Sequence, residues 1–146
     1  MTEAEILWIE RACAKLVTQY THWVDFGSAE RVAELFASDG VWEVGDTRFE
    51  GQDAVRGMLR ARQEMSQRRS RHVCTNLDIE VLDLAHAQGL VYLSLYRCDL
   101  PPGTPADALA PVDPPVAVGQ YRDRFVHTEA GWRFAHRRAE LAFGEL

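Results

Sequence analysis

The stretch TQYTHWVDFG, residues 18–27, sets Tyr20, His22 and Asp25 into a segment otherwise made of apolar, core-seeking residues. A carboxylate among Trp23, Val24 and Phe26 either costs stability or does chemistry, because an ionised group taken out of water needs a partner. If that partner is a histidine, the carboxylate holds Nδ1–H, fixes the tautomer and leaves Nε2 free to take a proton from carbon. General-base help of this kind typically supplies about 10²–10⁴-fold. Tyr20 is either a hydroxyl that donates to a developing oxygen or a core tyrosine with its hydroxyl at a cavity rim. His22 sits about 60° from the direction of Asp25 at 100° per residue, which suits a solvent-side imidazole.

The later strands carry further candidates. His72, Cys74 and Asn76 share one face by the period of two, so Asn76 accompanies His72 as a substrate hydrogen-bonder or a structural amide. On the next-to-last strand Gln120, Arg122 and Arg124 share one face, and Gly119, Tyr121, Asp123 and Phe125 the other. Alternation alone does not choose between them: either Tyr121 lines a cavity, or Arg122 holds an oxyanion. In the last strand Trp132, Phe134, His136 and Arg138 share a face, with His136 as a second pocket histidine. Trp23 joins Asn76, Tyr121, Arg122 and His136 in the expected substrate-binding set. His22, Asp25 and His72 contain the donor types of a two-His, one-carboxylate iron site, but H-x-x-D without an HxH or HExxH is a weak signal, so no metal and no cofactor are expected.

These residues need elements to position them. Thr2 with Glu5 forms a capping box, and Ile6, Ile9, Cys13, Leu16, Val17, Tyr20 and Val24 recur at three- and four-residue intervals, so one amphipathic helix runs to about Asp25. Gly27 ends it, and Ser28 caps a second helix that reaches the turn at Asp39-Gly40. A short strand over Val41–Asp46 and its return over Thr47–Glu50 precede a third helix from Gly51. Val55, Met58, Leu59 and Arg62 lie on its inner side. From residue 71 the period changes to two. The spacing predicts long strands over 71–84, 90–99, 116–127 and 132–141, with a turn at 85–89. All six prolines fall between Pro101 and Pro115, marking a loop that reads as a flap over the cavity mouth or an oligomer contact. Three helices followed by antiparallel strands mean an α+β fold with helices on one face of a sheet.

Composition narrows the function classes. At 146 residues the chain is one domain, 1–146, and its 47% apolar and 26% charged content is that of an ordinary globular protein. The net charge of −6 argues against a nucleic-acid surface. Arg60, Arg62, Arg68, Arg69 and Arg71, with Glu64 interleaved, read as a solvated helix face. Cys13, Cys74 and Cys98 form no C-x-x-C pair and read as buried free thiols. No run approaches the roughly 18 apolar residues of a membrane span, and the acidic start MTEAEILWIE is no signal peptide, so a cytoplasmic protein is expected.

YTHWVDFG in helix one, RHVCTN opening the first long strand and GWRFAHRR in the last together resemble the nuclear transport factor 2-like superfamily. Within it the likeness is to the SnoaL-like branch, which includes scytalone dehydratase, hexachlorocyclohexane dehydrochlorinase and bile-acid 7α-dehydratase. It spans roughly residues 5–140. The resemblance implies a cone: a curved, mostly antiparallel sheet wrapped around three N-terminal helices and enclosing an apolar cavity. It also implies that Asp25 pairs with His72, since those lyases join an Asp at the end of helix one to a His at the start of the first long strand. Tyr20 matches a tyrosine of the bile-acid enzyme, where the dehydrochlorinase has Lys. The bile-acid enzyme's last-strand Arg falls near Leu141, with Arg137 and Arg138 close by but out of register.

The expectation that follows is a cofactor-independent lyase of the dehydratase type, or a related isomerase or cyclase, acting on a hydrophobic, ring-containing small molecule. His72 would be the base, Asp25 its orienter and Tyr20 the donor. The alternative is a noncatalytic binding or assembly subunit, such as the small subunit of a ring-hydroxylating dioxygenase. Self-association is expected because the outer face of a curved sheet carries apolar residues that a partner would cover, and the resemblance implies a homodimer first and a trimer second.

Overall fold

Thr2 starts the first helix, α1 (Glu3–Asp25): its hydroxyl accepts from the Glu5 amide, and Glu5 bonds back to the Thr2 amide. Satisfying two otherwise orphaned N–H groups fixes the helix start. The computed structural model describes every residue from Met1 to Leu146. Ile9, Cys13, Leu16, Val17, Tyr20 and Val24 make the buried stripe of α1. The helix stops at Gly27, where φ is +87°, a backbone setting that costs glycine little.

The segment after Ser28 is shorter than the spacing predicts. It forms a seven-residue 3₁₀ turn, Ala29–Leu35, and Ser28 makes no side-chain cap bond. There are therefore two α-helices where three were expected. The Asp39-Gly40 turn is absent too, because those residues lie inside the first strand, β1 (Phe36–Val44). A Cβ on Gly40 would meet the Ala37 and Phe134 carbonyl oxygens at 2.9 Å, so this glycine serves a close strand approach rather than a reversal. The strand β2 (Thr47–Glu50) returns along β1, and α2 (Gln52–Glu64) follows, burying Val55 and Leu59.

Four long strands complete the chain: β3 (Arg68–Val81), β4 (His86–Asp99), β5 (Ala117–Thr128) and β6 (Gly131–Gly144). The sheet is an open, curved one of six strands in the order β2-β1-β6-β5-β4-β3. All neighbours are antiparallel except β1 and β6, which run parallel. Register shifts interrupt β3 between Thr75 and Asp78, and the β5–β6 pair at Val118/Gly119 and Arg124/Phe125. Such bulges bend and twist a sheet, letting it wrap around α1. The core between sheet and helices joins the α1 stripe to Val32, Phe36, Val55, Leu59, Leu93, Leu95, Phe125 and Phe134. No helix is long and apolar enough to cross a membrane.

The proline-rich segment after Leu100 does not cover the cavity described below. Arg69, on the outward side of β3, donates to the carbonyls of Ala106 and Ala108. The segment thereby packs beside Arg71, Tyr96 and Cys98 on the convex face.

Candidate active site

Two residues separated by 47 positions meet at the end of α1. The Asp25 Oδ1 atom is 2.6 Å from His72 Nδ1, and Oδ2 accepts from the His72 backbone N–H at 2.8 Å. Ser70, two residues before His72 on the same inward face of β3, donates its hydroxyl to Asp25 Oδ1 at 2.7 Å. Ser70 in turn accepts from Arg62 Nη2 of α2 at 3.0 Å. The side chains of His72 and Asp25 are 11% and 5% exposed, so these contacts are made out of bulk water. Burial works to raise the Asp25 carboxyl, but the His72 ring, its amide and Ser70 outweigh it and hold the pKa below the ordinary value. With Asp25 ionised, Nδ1 is the nitrogen that carries the proton, and Nε2 is left as the basic atom.

Beside this pair lies a second polar group. The Tyr20 oxygen accepts from Trp42 Nε1 at 3.0 Å, and the Tyr121 ring meets the Tyr20 ring edge-on at 5.7 Å. Its own O–H is therefore the free donor. Arg137 is fully buried and bonds Asp123 through two parallel contacts of 2.8 and 2.7 Å. Its guanidinium stacks on Tyr20 at 4.3 Å and on Tyr121 at 4.0 Å. Burial outweighs Arg137 and Trp42, which act to lower it, and holds the Tyr20 hydroxyl above its ordinary value, so it stays protonated and able to donate. Tyr121 is pushed well up by burial and by its neighbour Tyr20.

Tyr20, His72 and Tyr121 line a cavity of about 320 Å³, ten of whose fifteen lining residues are hydrophobic. Val24, Trp42, Leu59 and Leu95 line it, with Met58 of α2 and Met65 just beyond the end of that helix. An adjoining apolar cleft shares Trp42, Met58 and Leu146 with it. The concavity on the convex side of the sheet has one hydrophobic lining residue of eleven and is a lattice of charges rather than a ligand pocket.

Four of the expected substrate-binding residues lie elsewhere. Asn76 is exposed, at φ +55° in the β3 bulge, which breaks the alternation that would have aligned it with His72. His136 is turned outward by the shift that pairs Phe134 with Phe125 but His136 with Arg124. Its Nε2 lies 3.0 Å from Glu43 on the outer face. The same shift puts Arg137, not Arg138, inside. Arg122 faces out and donates to Glu140 at 2.9 Å, because the inward set on β5 is Gly119, Tyr121, Asp123 and Phe125. Trp23 lies two residues, about 200°, from Asp25 around α1, half-buried under the Arg31 guanidinium at 4.3 Å. His22 is exposed against Phe26 and does not approach a metal-ligand cluster. Of the thiols only Cys13 is buried, while Cys74 and Cys98 are half-buried; burial pushes Cys13 up to about 12 and Cys74 to about 11.

Ser70 and Trp42 border the site and were not singled out from the sequence, and Arg137 was named there only as out of register. Ser70 lay one residue before the expected start of its strand; with β3 beginning at Arg68, the period that turns His72 inward turns Ser70 inward as well.

The pattern of a SnoaL-like domain matches residues 5–138. Rv3472, a protein of unknown function from Mycobacterium tuberculosis, is 26% identical with a TM-score of 0.75, over 97% of this chain and 76% of that one. A putative scytalone dehydratase from Novosphingobium aromaticivorans is 19% identical at TM-score 0.79, over 97% and 89% of the two chains. The hexachlorocyclohexane dehydrochlorinase LinA-type3 from Novosphingobium barchaimii is 14% identical at TM-score 0.75, over 97% and 92%. The last two share the fold. No curated protein matches the chain.

Proposed function

The chain belongs to the SnoaL-like domain family, and from that premise we propose that it is a small lyase eliminating water or a comparable leaving group from a hydrophobic, ring-containing substrate. The observation that carries the proposal is the 2.6 Å contact of Asp25 with His72 on the wall of an apolar cavity of about 320 Å³. The dehydratase and dehydrochlorinase names among proteins of the same fold agree in reaction type.

The reaction follows from the atoms available. His72 Nε2 takes a proton from a ring carbon, and the electrons of that C–H bond form the new C=C bond. As they do, the bond from the neighbouring carbon to the leaving group breaks. Asp25 holds Nδ1–H and stabilises the imidazolium that forms. Tyr20, whose oxygen already accepts from Trp42, donates its hydrogen to the departing oxygen. Ser70 holds Asp25 in place through its hydroxyl and is itself held by Arg62. The apolar wall keeps bulk water from the base.

The test has two readouts. In a panel of cyclic alcohols and halides with an acidic neighbouring C–H, at least one member should yield a conjugated product detected by its ultraviolet absorbance. Replacement of His72 by Gln or of Asp25 by Asn should then cost about 10²–10⁴-fold in turnover. Nitrogen NMR of wild type should show His72 protonated on Nδ1 alone, and Asp25→Asn should mix the two tautomers. Full turnover in Asp25→Asn would remove the pair from the mechanism. A His72 tautomer indifferent to Asp25, with no active substrate, would leave the noncatalytic subunit as the better account.

A further inference from the structure

Three arginines enter the cavity that holds His72: Arg62 from α2, Arg68 from β3 and Arg97 from β4. Their positions follow from the strand register. Arg68 pairs with Asp99, Ser70 with Arg97 and His72 with Leu95, and all these inward pairs occupy successive rungs of one face. Arg97 therefore stands one same-face rung from the His72 level, about 7 Å along the strand.

Their partners differ. Arg68 is committed to Asp99 through two contacts of 2.8 and 2.9 Å. Arg62 makes a single bond, from Nη2 to Ser70. The Arg97 side chain makes no hydrogen bond and no ion pair, although the Asp99 charge attracts it. Elsewhere the chain pairs more exposed arginines with carboxylates: Arg48 with Glu43 and Glu50, Arg60 with Glu30, Arg122 with Glu140. Burial and the like charge of Arg68 both press on Arg62 and Arg97 and lower their pKa values. Three guanidiniums thus line a cavity to which no Asp or Glu contributes a lining side chain, on a protein whose net charge is −6. The cavity presents positive charge without an anionic side chain of its own.

We propose that Arg97, with the free donors of Arg62, anchors a carboxylate on the substrate, so that the cavity selects a ring-containing acid over its neutral counterpart. The guanidinium fork matches the two oxygens of a carboxylate, and the half-buried setting strengthens the contact relative to water. The rung spacing sets the geometry. With the carboxylate at Arg97, a ring spans the gap of about 7 Å and brings its far carbons to His72 Nε2. The inference rests on the proposed function only in taking this cavity as the substrate site.

The test is calorimetric titration with 2-naphthoate and its neutral isostere 2-naphthamide. Wild type should bind the acid about tenfold more tightly than the amide, as expected for a charge-assisted pair. Added sodium chloride should weaken binding of the acid alone. In Arg97→Gln the two affinities should converge with that of the amide unchanged, while Arg48→Gln, on the outer face, keeps the preference. Equal binding of the two probes by wild type, binding of neither, or an undiminished preference in Arg97→Gln would overturn the anchor. His72→Gln should retain the preference, which separates the two proposals. Elimination activity without acid preference sinks the anchor and leaves the lyase, and acid preference without activity does the reverse.

Discussion

Asp25 gathers the polar contacts of the candidate site on one side chain. It accepts three hydrogen bonds, from the His72 ring, the His72 amide and Ser70, while only 5% of its side chain is exposed. Its carboxyl is held below the unfolded value, so the folded state gains stability from the ionised form. That gain is fully present above the unfolded pKa and is lost as pH falls through the folded one. Asp25→Asn has no such charge to lose. The stability advantage of wild type over Asp25→Asn, read from urea melts, should therefore shrink as pH falls from about 6 through the carboxylate range. An advantage constant with pH would mean that Asp25 is not ionised in the folded protein.

At the scale of elements, the β5–β6 pair carries the most consequential contact outside the dyad. Asp123 and Arg137 are directly opposite in the ladder, both buried, and the guanidinium supports the Tyr20, Tyr121 and Phe134 rings. Arg137 Nη1 has no partner, so the pair is already incompletely satisfied. Removing Arg137 alone, as in Arg137→Met, should cost about 3–5 kcal/mol because Asp123 is left as an unpaired buried charge. Asp123→Leu combined with Arg137→Met should recover most of that loss while misplacing Tyr20. The check is denaturant unfolding of the single and double variants. A double variant no more stable than Arg137→Met would mean that ring stacking, not the ion pair, is what Arg137 contributes.

Over the whole molecule, the sheet's two faces have opposite characters. The concave face holds the apolar cavity and the convex face carries ion pairs such as Arg122–Glu140 and His136–Glu43. The proline-rich segment is pinned to the convex side by Arg69, away from the cavity mouth. Arg69→Ala should release it: limited proteolysis should cut between residues 101 and 115 faster than in wild type, with the binding of cavity probes unchanged. Altered probe binding on release would show that the segment does reach the cavity.

The sequence alone determined what depends on local periodicity. The capping box and the three- and four-residue spacing set α1, and with it the level at which Tyr20 and Asp25 sit. The period of two set four long strands, and the resemblance paired Asp25 with His72 before any distance was known. Tertiary structure decided what a uniform period cannot express. A bulge of one residue reverses every side chain beyond it, so Asn76 and His136 left the inner face and Arg137 entered it. It decided, too, which arginines line the cavity. Helical spacing puts Arg62 on the inner side of its helix, but nothing local marks Arg68 and Arg97, and only the register of β3 and β4 sets their half-buried guanidiniums in the wall beside His72. Charge written along a chain carries no record of which side the fold will close over it.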